Sequence, residues 1–294
     1  MRLLITGSNG QLGTDLCKVF RGLDLVPLTH ADLDVTDSES VNEILDDFRP
    51  DVVINTAAYV RVDDCEVNRD QAFQVNAEGA QNIALAAEKI GAKLIHISTD
   101  YVFGGEGPRS SPYSELAVPI PLNIYGNSKL AGERYVRSLC SKHIIVRTSG
   151  LFGTAGSSGK GGNFIETILR MGKERGELNV VNDQVFSPSY TVDVAEKIAE
   201  LIETDNYGIF HITNSGECSW FAFAREILRL SNVKAHLNPV TSIQYRQKAK
   251  RPAYSVLRHL HLARLGMDNM RPWENALTVY LRKKGHLIKE QAFV

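Results

Sequence analysis

The chain has 294 residues, which is enough for one large α/β unit or for a nucleotide-binding domain that carries a smaller second lobe. Its residues are 43% apolar and 23% charged, as in ordinary globular proteins, and 33 basic side chains nearly balance 34 acidic ones. A chain so close to neutrality, with no DNA- or RNA-binding motif, is not expected to bind nucleic acid. Without a stretch of about 18 apolar residues it is not expected to enter a membrane.

Short aliphatic runs alternate with longer amphipathic stretches through the first half of the chain. The runs predict strands over residues 3–5, 25–28, 52–55, 93–98 and 143–147. The stretches between them predict helices over residues 10–20, 38–48, 69–90 and 124–139. Because the runs are continuously apolar, they fit strands buried on both faces of a parallel sheet. Right-handed crossovers then give a doubly wound, Rossmann-type α/β fold.

The regular alternation weakens after residue 147. A Gly/Ser-rich stretch over residues 153–162 has the composition of a mobile loop and is a candidate lid. Beyond it, the pattern predicts helices over 163–175, 191–203 and 220–230, the last capped by Ser219, and strands over 178–181 and 208–212. We expect a dinucleotide-binding domain of residues 1–150 plus about 178–215. Residues of about 151–177 plus 216–294 are expected to form a smaller C-terminal substrate-binding lobe.

The first predicted strand runs directly into a Gly-x-x-Gly-x-x-Gly pattern formed by Gly7, Gly10 and Gly13. Glycines allow a tight turn and close approach of a pyrophosphate, whose charge the free N–H groups and the positive end of the next helix can receive. The pattern therefore predicts a dinucleotide site. A glycine-rich turn without a ligand is the structural alternative.

Cofactor choice is open at this level. An acidic residue at the end of the second strand would normally bind the adenosine ribose and repel a 2′-phosphate, but this position holds Thr29 and His30. Asp34 and Val35 are expected to flank the adenine. Three residues after the third strand are expected beside the ribose and nicotinamide: Ala57, Ala58 and Tyr59. The predicted cofactor is NADPH or NADH.

A Tyr-x-x-x-Lys pair opens the helix predicted over residues 124–139. Tyr125 and Lys129 are four residues apart and share a helix face, so their hydroxyl and ammonium groups can converge. We expect the cation to lower the phenol pKa by about two units from about 10, which makes Tyr125 an acid at neutral pH. The pair also recurs by chance on surface helices. Here it follows Thr99, at the end of a strand where ligands bind in such sheets, and Thr99 can donate a hydrogen bond to the same carbonyl oxygen.

These motifs occur in the order found in the extended short-chain dehydrogenase/reductase superfamily. Within it, the chain most closely resembles the dTDP-4-dehydrorhamnose reductase family, in the strings at residues 5–13, 98–103, 124–133 and 182–184 and at Arg251-Pro252. The resemblance implies NAD(P)H-dependent reduction of the 4-keto group of dTDP-4-dehydro-L-rhamnose to dTDP-L-rhamnose, a precursor of cell-surface polysaccharide. It implies no metal ligand, and it leaves a homodimer open.

The resemblance also implies roles for individual residues. Thr99, Tyr125 and Lys129 would be the catalytic trio. The cofactor would contact Gly7, Gly10, Gln11, Leu12, Gly13, Asp34, Val35, Ala57, Ala58, Tyr59, Tyr125 and Lys129. The substrate would contact Thr99, Asp100, Tyr101, Asn163 and Arg251. One departure stands out, because family members commonly carry a sugar-lining Trp where this chain has Gly150.

Three rival functions share the fold. A nucleotide-sugar 4,6-dehydratase would place a catalytic Glu where this chain has Tyr101, so elimination is disfavoured. A 4-epimerase is disfavoured less firmly. A regulatory subunit, like that of methionine adenosyltransferase, would keep the fold without turnover, and the intact trio argues against it.

Charge is unevenly distributed, since residues 241–294 contain 11 Lys and Arg against 3 Asp and Glu. We expect Arg251 to grip the substrate diphosphate, whereas residues 282–284 are expected to be the solvated end of a last helix. The four cysteines are scattered without metal or redox spacing, and Met1 leads directly into a strand without a charged leader. We therefore expect reduced thiols and a cytoplasmic protein.

Overall fold

The computed structural model describes residues 1–155 and 162–287. Six parallel strands form the central sheet: β1 (Arg2–Thr6), β2 (Asp24–Leu28), β3 (Val52–Asn55), β4 (Lys93–Thr99), β5 (His143–Thr148) and β10 (Gly208–His211). Their spatial order is β10-β5-β4-β3-β1-β2, so the order reverses beside β1, as in doubly wound folds. The predicted fold class is confirmed, and each predicted strand of the sheet is present within about one residue of its expected ends.

Helices cover both faces of the sheet. In the first half of the chain they are α1 (Gln11–Val19), α2 (Ser38–Phe48), α3 (Val62–Cys65), α4 (Arg69–Phe73), α5 (Gly79–Ile90) and α6 (Ile124–Leu139). Aliphatic side chains of β1 and β3 meet α1 and α8 (Thr191–Ile202) on one face, and α2 and α5 pack on the other. Strands buried on both faces explain the continuously apolar runs of the sequence.

The helix expected over residues 69–90 is interrupted. A π-helical turn, Gln74–Glu78, separates α4 from α5. The turn packs against α6, where a Cβ at Gly132 would lie 2.2 Å from the carbonyl oxygen of Asn76. Hydrophobic periodicity did not predict this turn, because its cause is a contact with a helix more than fifty residues away.

The remaining elements lie mostly in the second half of the chain, and several of them build a second core. They are α7 (Phe164–Arg175), α9 (Trp220–Ser231), α10 (Ser242–Tyr245), α11 (Leu260–Arg264), α12 (Trp273–Lys283) and the strands β6 (Leu151–Phe152), β7 (Glu177–Val181), β8 (Val185–Phe186), β9 (Ser189–Tyr190), β11 (Cys218–Ser219) and β12 (His236–Val240). Side chains of α7, α9, α12 and β7 form one hydrophobic cluster, separate from the clusters of the sheet. The two cores support the predicted two-lobe division, whose boundaries stay a prediction. Leu178 of β7 packs in the second core, whereas Leu262 packs against the sheet.

Two local predictions can be compared directly with the structure. The Ser219 hydroxyl accepts a hydrogen bond from the Ala222 amide and caps α9, as expected. Arg282 and Lys283 end α12 on the exposed surface, also as expected. Most of the candidate lid, residues 156–161, lies outside the described residues.

Candidate active site

The carboxyl ends of β1, β3, β4 and β5 open into a cavity of about 990 Å³ that is also lined by residues of the second core. All predicted cofactor residues and all but one of the predicted substrate residues line it: Gly7, Gly10, Gln11, Leu12, Gly13, Asp34, Val35, Ala57, Ala58, Tyr59, Thr99, Asp100, Tyr101, Tyr125, Lys129 and Asn163. Arg251 lies next to the cavity-lining Pro252 but is not itself part of the lining. Residues dispersed over more than 150 positions thus meet at the edge of the sheet where doubly wound folds bind ligands.

The glycine loop between β1 and α1 has no room for a side chain at Gly7 or Gly13. A Cβ at Gly7, whose φ is +66°, would lie 2.8 Å from Thr56 Oγ1, and one at Gly13 would lie 2.3 Å from the Gly7 carbonyl oxygen. Gly10 caps α1 with extended backbone and without a side-chain hydrogen bond. The loop therefore brings the N-terminus of α1 close against the sheet with its backbone facing the cavity, a geometry that fits a pyrophosphate.

The residues at the end of β2, where a carboxylate would normally bind the adenosine ribose, are Thr29 and His30. His30 lines the cavity, and the carboxylate of Asp32 accepts hydrogen bonds from the Thr29 amide at 2.8 Å and from its hydroxyl at 2.6 Å. These bonds lower the pKa of Asp32 and hold its carboxylate on the turn. Asp34, which lines the cavity, accepts from the Thr36 hydroxyl at 2.8 Å.

Asn76 fixes the loop that follows β3, and the sequence analysis did not identify it. Its side chain accepts from the Tyr59 amide at 2.8 Å and donates to the Tyr59 carbonyl at 3.1 Å. It also donates to the Ser128 hydroxyl at 3.0 Å. One buried amide, placed by the π-helical turn, therefore ties a predicted cofactor residue to the catalytic helix α6.

Thr99 is the last residue of β4 and begins a 3₁₀ turn, Asp100–Val102. Its hydroxyl oxygen accepts from the Tyr101 amide at 3.2 Å and donates to Asp100 at 3.2 Å. The Thr99 hydroxyl is also close enough to the Tyr125 phenol to lower its pKa. The turn therefore directs Thr99 toward the same point as Tyr125.

Helix α6 packs closely against this turn because of Gly126. A Cβ there would lie 2.1 Å from the Tyr101 carbonyl oxygen, so any larger residue would push the helix away. Asn123 caps α6 by accepting from the Gly126 amide at 2.7 Å. The two tyrosine rings, Tyr101 and Tyr125, meet edge to face with centroids 5.9 Å apart. Gly126 stands inside the Tyr-x-x-x-Lys motif, but only the fold shows what it contacts.

The protonation of Tyr125 differs from the expectation. Burial raises the pKa of its phenol, and the hydrogen bond to Thr99 opposes that rise only in part. Burial is the largest cause and Lys129 is not among the main ones, so the expected decrease of about two units is wrong. Tyr125 nevertheless carries its proton at neutral pH, as an acid must.

The Lys129 residue is buried, with 2% of its surface exposed, and this burial lowers its pKa to about 8. Glu133, one turn further along α6, opposes this decrease. The Glu133 carboxylate accepts from Arg147 at 2.8 and 2.6 Å and from the Ser98 hydroxyl at 2.6 Å. Three hydrogen bonds therefore hold the Glu133 carboxylate in place. Its negative charge favours the charged form of the Lys129 ammonium.

Asp100 forms hydrogen bonds with residues of both predicted lobes. It is 4% exposed and accepts from the Ser149 hydroxyl at 2.8 Å and from the Ser255 hydroxyl at 2.6 Å. Burial raises its pKa to about 6, and the serine bonds limit the rise. Ser255 belongs to the predicted C-terminal lobe, so this hydrogen bond joins residues of the two predicted lobes.

The two other predicted substrate residues already have structural partners. Asn163 caps α7 and also donates to the Gly153 carbonyl and the Tyr280 hydroxyl, both at 3.0 Å. Arg251 forms a bidentate pair with Asp63 at 3.1 and 2.8 Å. Its guanidinium thus ties the C-terminal lobe to α3, and its role as a diphosphate clamp stays a prediction.

Within residues 1–155 and 162–287, none of the helices combines the length and the hydropathy needed to cross a membrane. The same residues contain no group of three or more His, Cys, Asp or Glu side chains placed to hold a metal ion.

Comparisons with known proteins identify the family of the chain. The family model for the RmlD substrate binding domain matches residues 1–285. The crystal structure of dTDP-4-dehydrorhamnose reductase (rfbD) from Bacillus anthracis str. Ames, in complex with NADP, is 43% identical with a TM-score of 0.91, and the match covers 96% of this chain and 99% of that one.

Two curated relatives are similar over most of their length. The dTDP-4-dehydrorhamnose reductase of Aggregatibacter actinomycetemcomitans is 42% identical, over 87% of this chain and 90% of its own. The dTDP-4-keto-6-deoxy-D-glucose reductase of Streptomyces niveus is 39% identical, over 94% and 95%. The chain therefore belongs to the dTDP-4-dehydrorhamnose reductase family of the extended short-chain dehydrogenase/reductase superfamily.

Proposed function

We propose that the chain is an oxidoreductase that reduces the 4-keto group of a dTDP-linked 6-deoxysugar, with dTDP-4-dehydro-L-rhamnose as substrate and dTDP-L-rhamnose as product. The observation that carries the proposal is the convergence of Thr99, Tyr125 and Lys129 in one cavity with the glycine loop. The product would serve as a precursor of cell-surface polysaccharide.

The cavity fits a nicotinamide dinucleotide. Gly7 and Gly13 leave no room for a Cβ, so at these two positions the backbone can approach a pyrophosphate at the start of α1. The residues that would hold the rest of the cofactor are Asp34 and Val35 at the adenine and Tyr59 and Lys129 at the nicotinamide ribose. When bound, NADPH or NADH supplies the hydride that reduces the sugar carbonyl.

The chain's own residues supply the proton and the charge balance. Tyr125, protonated because burial raises its pKa, donates its hydroxyl proton to the C4 oxygen of the sugar. Thr99 hydrogen-bonds the same oxygen and fixes its position. The Lys129 ammonium adds a positive charge to the same cavity and would contact the nicotinamide ribose.

Tyr101 disfavours the dehydratase alternative. A dehydratase needs a carboxylate base at this position, whereas burial and the neighbouring Asp100 raise the pKa of the Tyr101 phenol far above neutrality. The Streptomyces niveus relative is named for a different 4-keto sugar, so the stereochemistry of the sugar is the finer part of the proposal.

Oxidation of NADPH or NADH on addition of dTDP-4-dehydro-L-rhamnose tests the function. A reductase oxidises one cofactor molecule for each sugar reduced. A regulatory subunit would bind the cofactor without turnover, and a 4-epimerase would convert the sugar without net oxidation.

The proposal includes a cytoplasmic location, supported by four cysteines that form no disulfide bond with one another. A homodimer also belongs to it, and sedimentation of the purified chain distinguishes a dimer from a monomer.

A further inference from the structure

An aromatic ring occupies the space beside Gly150. The residue follows β5 with φ +52°, and a Cβ there would lie 2.3 and 2.6 Å from two ring atoms of Phe186. The ring therefore occupies the position that any side chain at residue 150 would need. The ring that fills this position belongs to Phe186 of β8.

Phe186 is part of a larger surface. Its ring stacks on Trp220 with centroids 3.8 Å apart and planes at 21°, and Trp220 meets Phe164 at 4.7 Å. Phe186 is 3% exposed, whereas Trp220 and Phe164 are half-buried, and all three line the cavity. We call these three residues the aromatic wall.

The wall lies near the reacting end of the cavity. Gly150, which contacts it, directly follows Ser149, and the Ser149 hydroxyl binds Asp100 beside Thr99. The glycine loop, by contrast, lies at the start of α1. The ligand portion expected next to Thr99 and Tyr125 is the sugar rather than the adenine or the pyrophosphate of the cofactor.

A 6-deoxyhexose presents an apolar face of C–H groups together with a C6 methyl group. Aromatic faces bury such surface well, and a single methyl group in an apolar pocket changes affinity by about 10- to 200-fold. We propose that the aromatic wall, with Trp220 and Phe186 as its centre, binds this face and determines specificity for 6-deoxysugars. This inference rests on the proposed function, since it names the part of the substrate that the second lobe recognises.

Equilibrium binding tests the wall without requiring turnover. Affinities of the wild type, Trp220→Leu and Phe186→Leu are measured by calorimetry for dTDP-L-rhamnose, dTDP-L-mannose, dTDP alone and NADPH. L-Mannose differs from L-rhamnose only by the hydroxyl on C6, and we expect the wild type to prefer dTDP-L-rhamnose over dTDP-L-mannose by about 10-fold or more. Trp220→Leu should lose most of that preference, while its affinities for dTDP and NADPH stay within about twofold of the wild type.

Phe221→Leu is the matched control. Phe221 is adjacent to Trp220 on α9 but lines a different surface groove, so the same substitution there should leave the sugar preference unchanged. Unchanged affinity for NADPH shows that Trp220→Leu and Phe186→Leu are folded.

Three results would overturn the inference. An equal loss of affinity for dTDP alone would place the wall at the thymine base. An unchanged preference in Trp220→Leu would make the wall a packing feature only. A wild type without any preference for the 6-deoxysugar would remove its role in specificity. Failure of the proposed function looks different, because it would leave the keto sugar unreduced whatever the binding preferences are.

Discussion

The guanidinium of Arg147 holds the carboxylate of Glu133 through two hydrogen bonds of 2.8 and 2.6 Å, with both side chains at most 2% exposed. Glu133 lies one helical turn beyond Lys129 on α6, and Arg147 reaches it from β5. Breaking such a pair leaves an unpaired buried charge and typically costs about 3–5 kcal/mol. The pair also affects the site, because the Glu133 carboxylate raises the pKa of Lys129 and so favours its charged form.

The first prediction concerns this support. Lys129 has a pKa of about 8, so kcat/KM should fall as pH rises through about 8 and the ammonium is lost. Glu133→Gln removes the negative charge that raises this pKa and leaves Arg147 uncompensated. The alkaline limb of the pH profile should therefore move to lower pH.

Ser98→Ala is the control for that experiment. It removes the third hydrogen bond to Glu133 but leaves the charge, so the limb should stay in place while stability falls by about 1 kcal/mol. A limb that does not move in Glu133→Gln would show that Glu133 has only a structural role.

The second prediction concerns Asp100. Its folded-state pKa of about 6 is above the value of about 3.9 expected in the unfolded chain. Folding therefore favours the protonated form, and the resulting stability is present below about pH 4 and is lost as pH rises through about 6. The loss amounts to at most about 3 kcal/mol.

Asp100→Asn lacks this titration, so its stability relative to the wild type should improve as pH rises from about 4 to 7. Urea unfolding of both proteins across this pH range measures the difference. A difference that is constant with pH would mean that Asp100 titrates normally despite its burial.

The third prediction separates two roles of Arg251. If its guanidinium also binds the substrate diphosphate, Arg251→Ala should raise the KM of the nucleotide sugar roughly 10- to 100-fold and leave the Kd of the cofactor unchanged. Asp63→Asn loosens the same ion pair without removing the cation, so its effect on KM should be much smaller. Equal effects of both variants on KM and on thermal stability would assign Arg251 to holding the lobes together.

The fourth prediction concerns cofactor preference. Since β2 ends at Thr29 and His30, and Asp32 is already held by Thr29, NADPH should be used at least as well as NADH. Thr29→Asp should shift the ratio of the two kcat/KM values toward NADH. Thr29→Asn, which loses the same hydroxyl without adding charge, should not. Strict dependence of the wild type on NADH would show that Asp32 or Asp34 binds the ribose.

Local patterns predicted the sheet and the placement of Tyr125 and Lys129 on one cavity, because both depend on short-range spacing. Strands such as residues 52–55 are continuously apolar, and Tyr125 and Lys129 share a helix face over four residues. The missed contacts join distant segments. Asn76 meets Ser128 across 52 positions, and Arg251 meets Asp63 across 188. No local periodicity reports such pairs, so their residues look like ordinary polar positions in the sequence.

The Tyr125 pKa shows a different limit. Counting one nearby cation predicted a decrease, but the structure surrounds the phenol with buried groups whose effect is larger. Burial cannot be deduced from the spacing of a motif. Tyr125 stays the predicted acid. Burial, rather than Lys129, sets its pKa and keeps its proton in place at neutral pH.

The most direct test is the oxidation of NADPH by dTDP-4-dehydro-L-rhamnose in the wild type and in Tyr125→Phe. The substitution keeps the ring against Tyr101 and removes only the proton donor, so cofactor affinity should be unchanged while kcat falls by about 10²- to 10⁴-fold. Turnover in Tyr125→Phe at the wild-type rate would contradict the catalytic role of Tyr125, and a wild type that binds NADPH but never oxidises it would contradict the reductase itself.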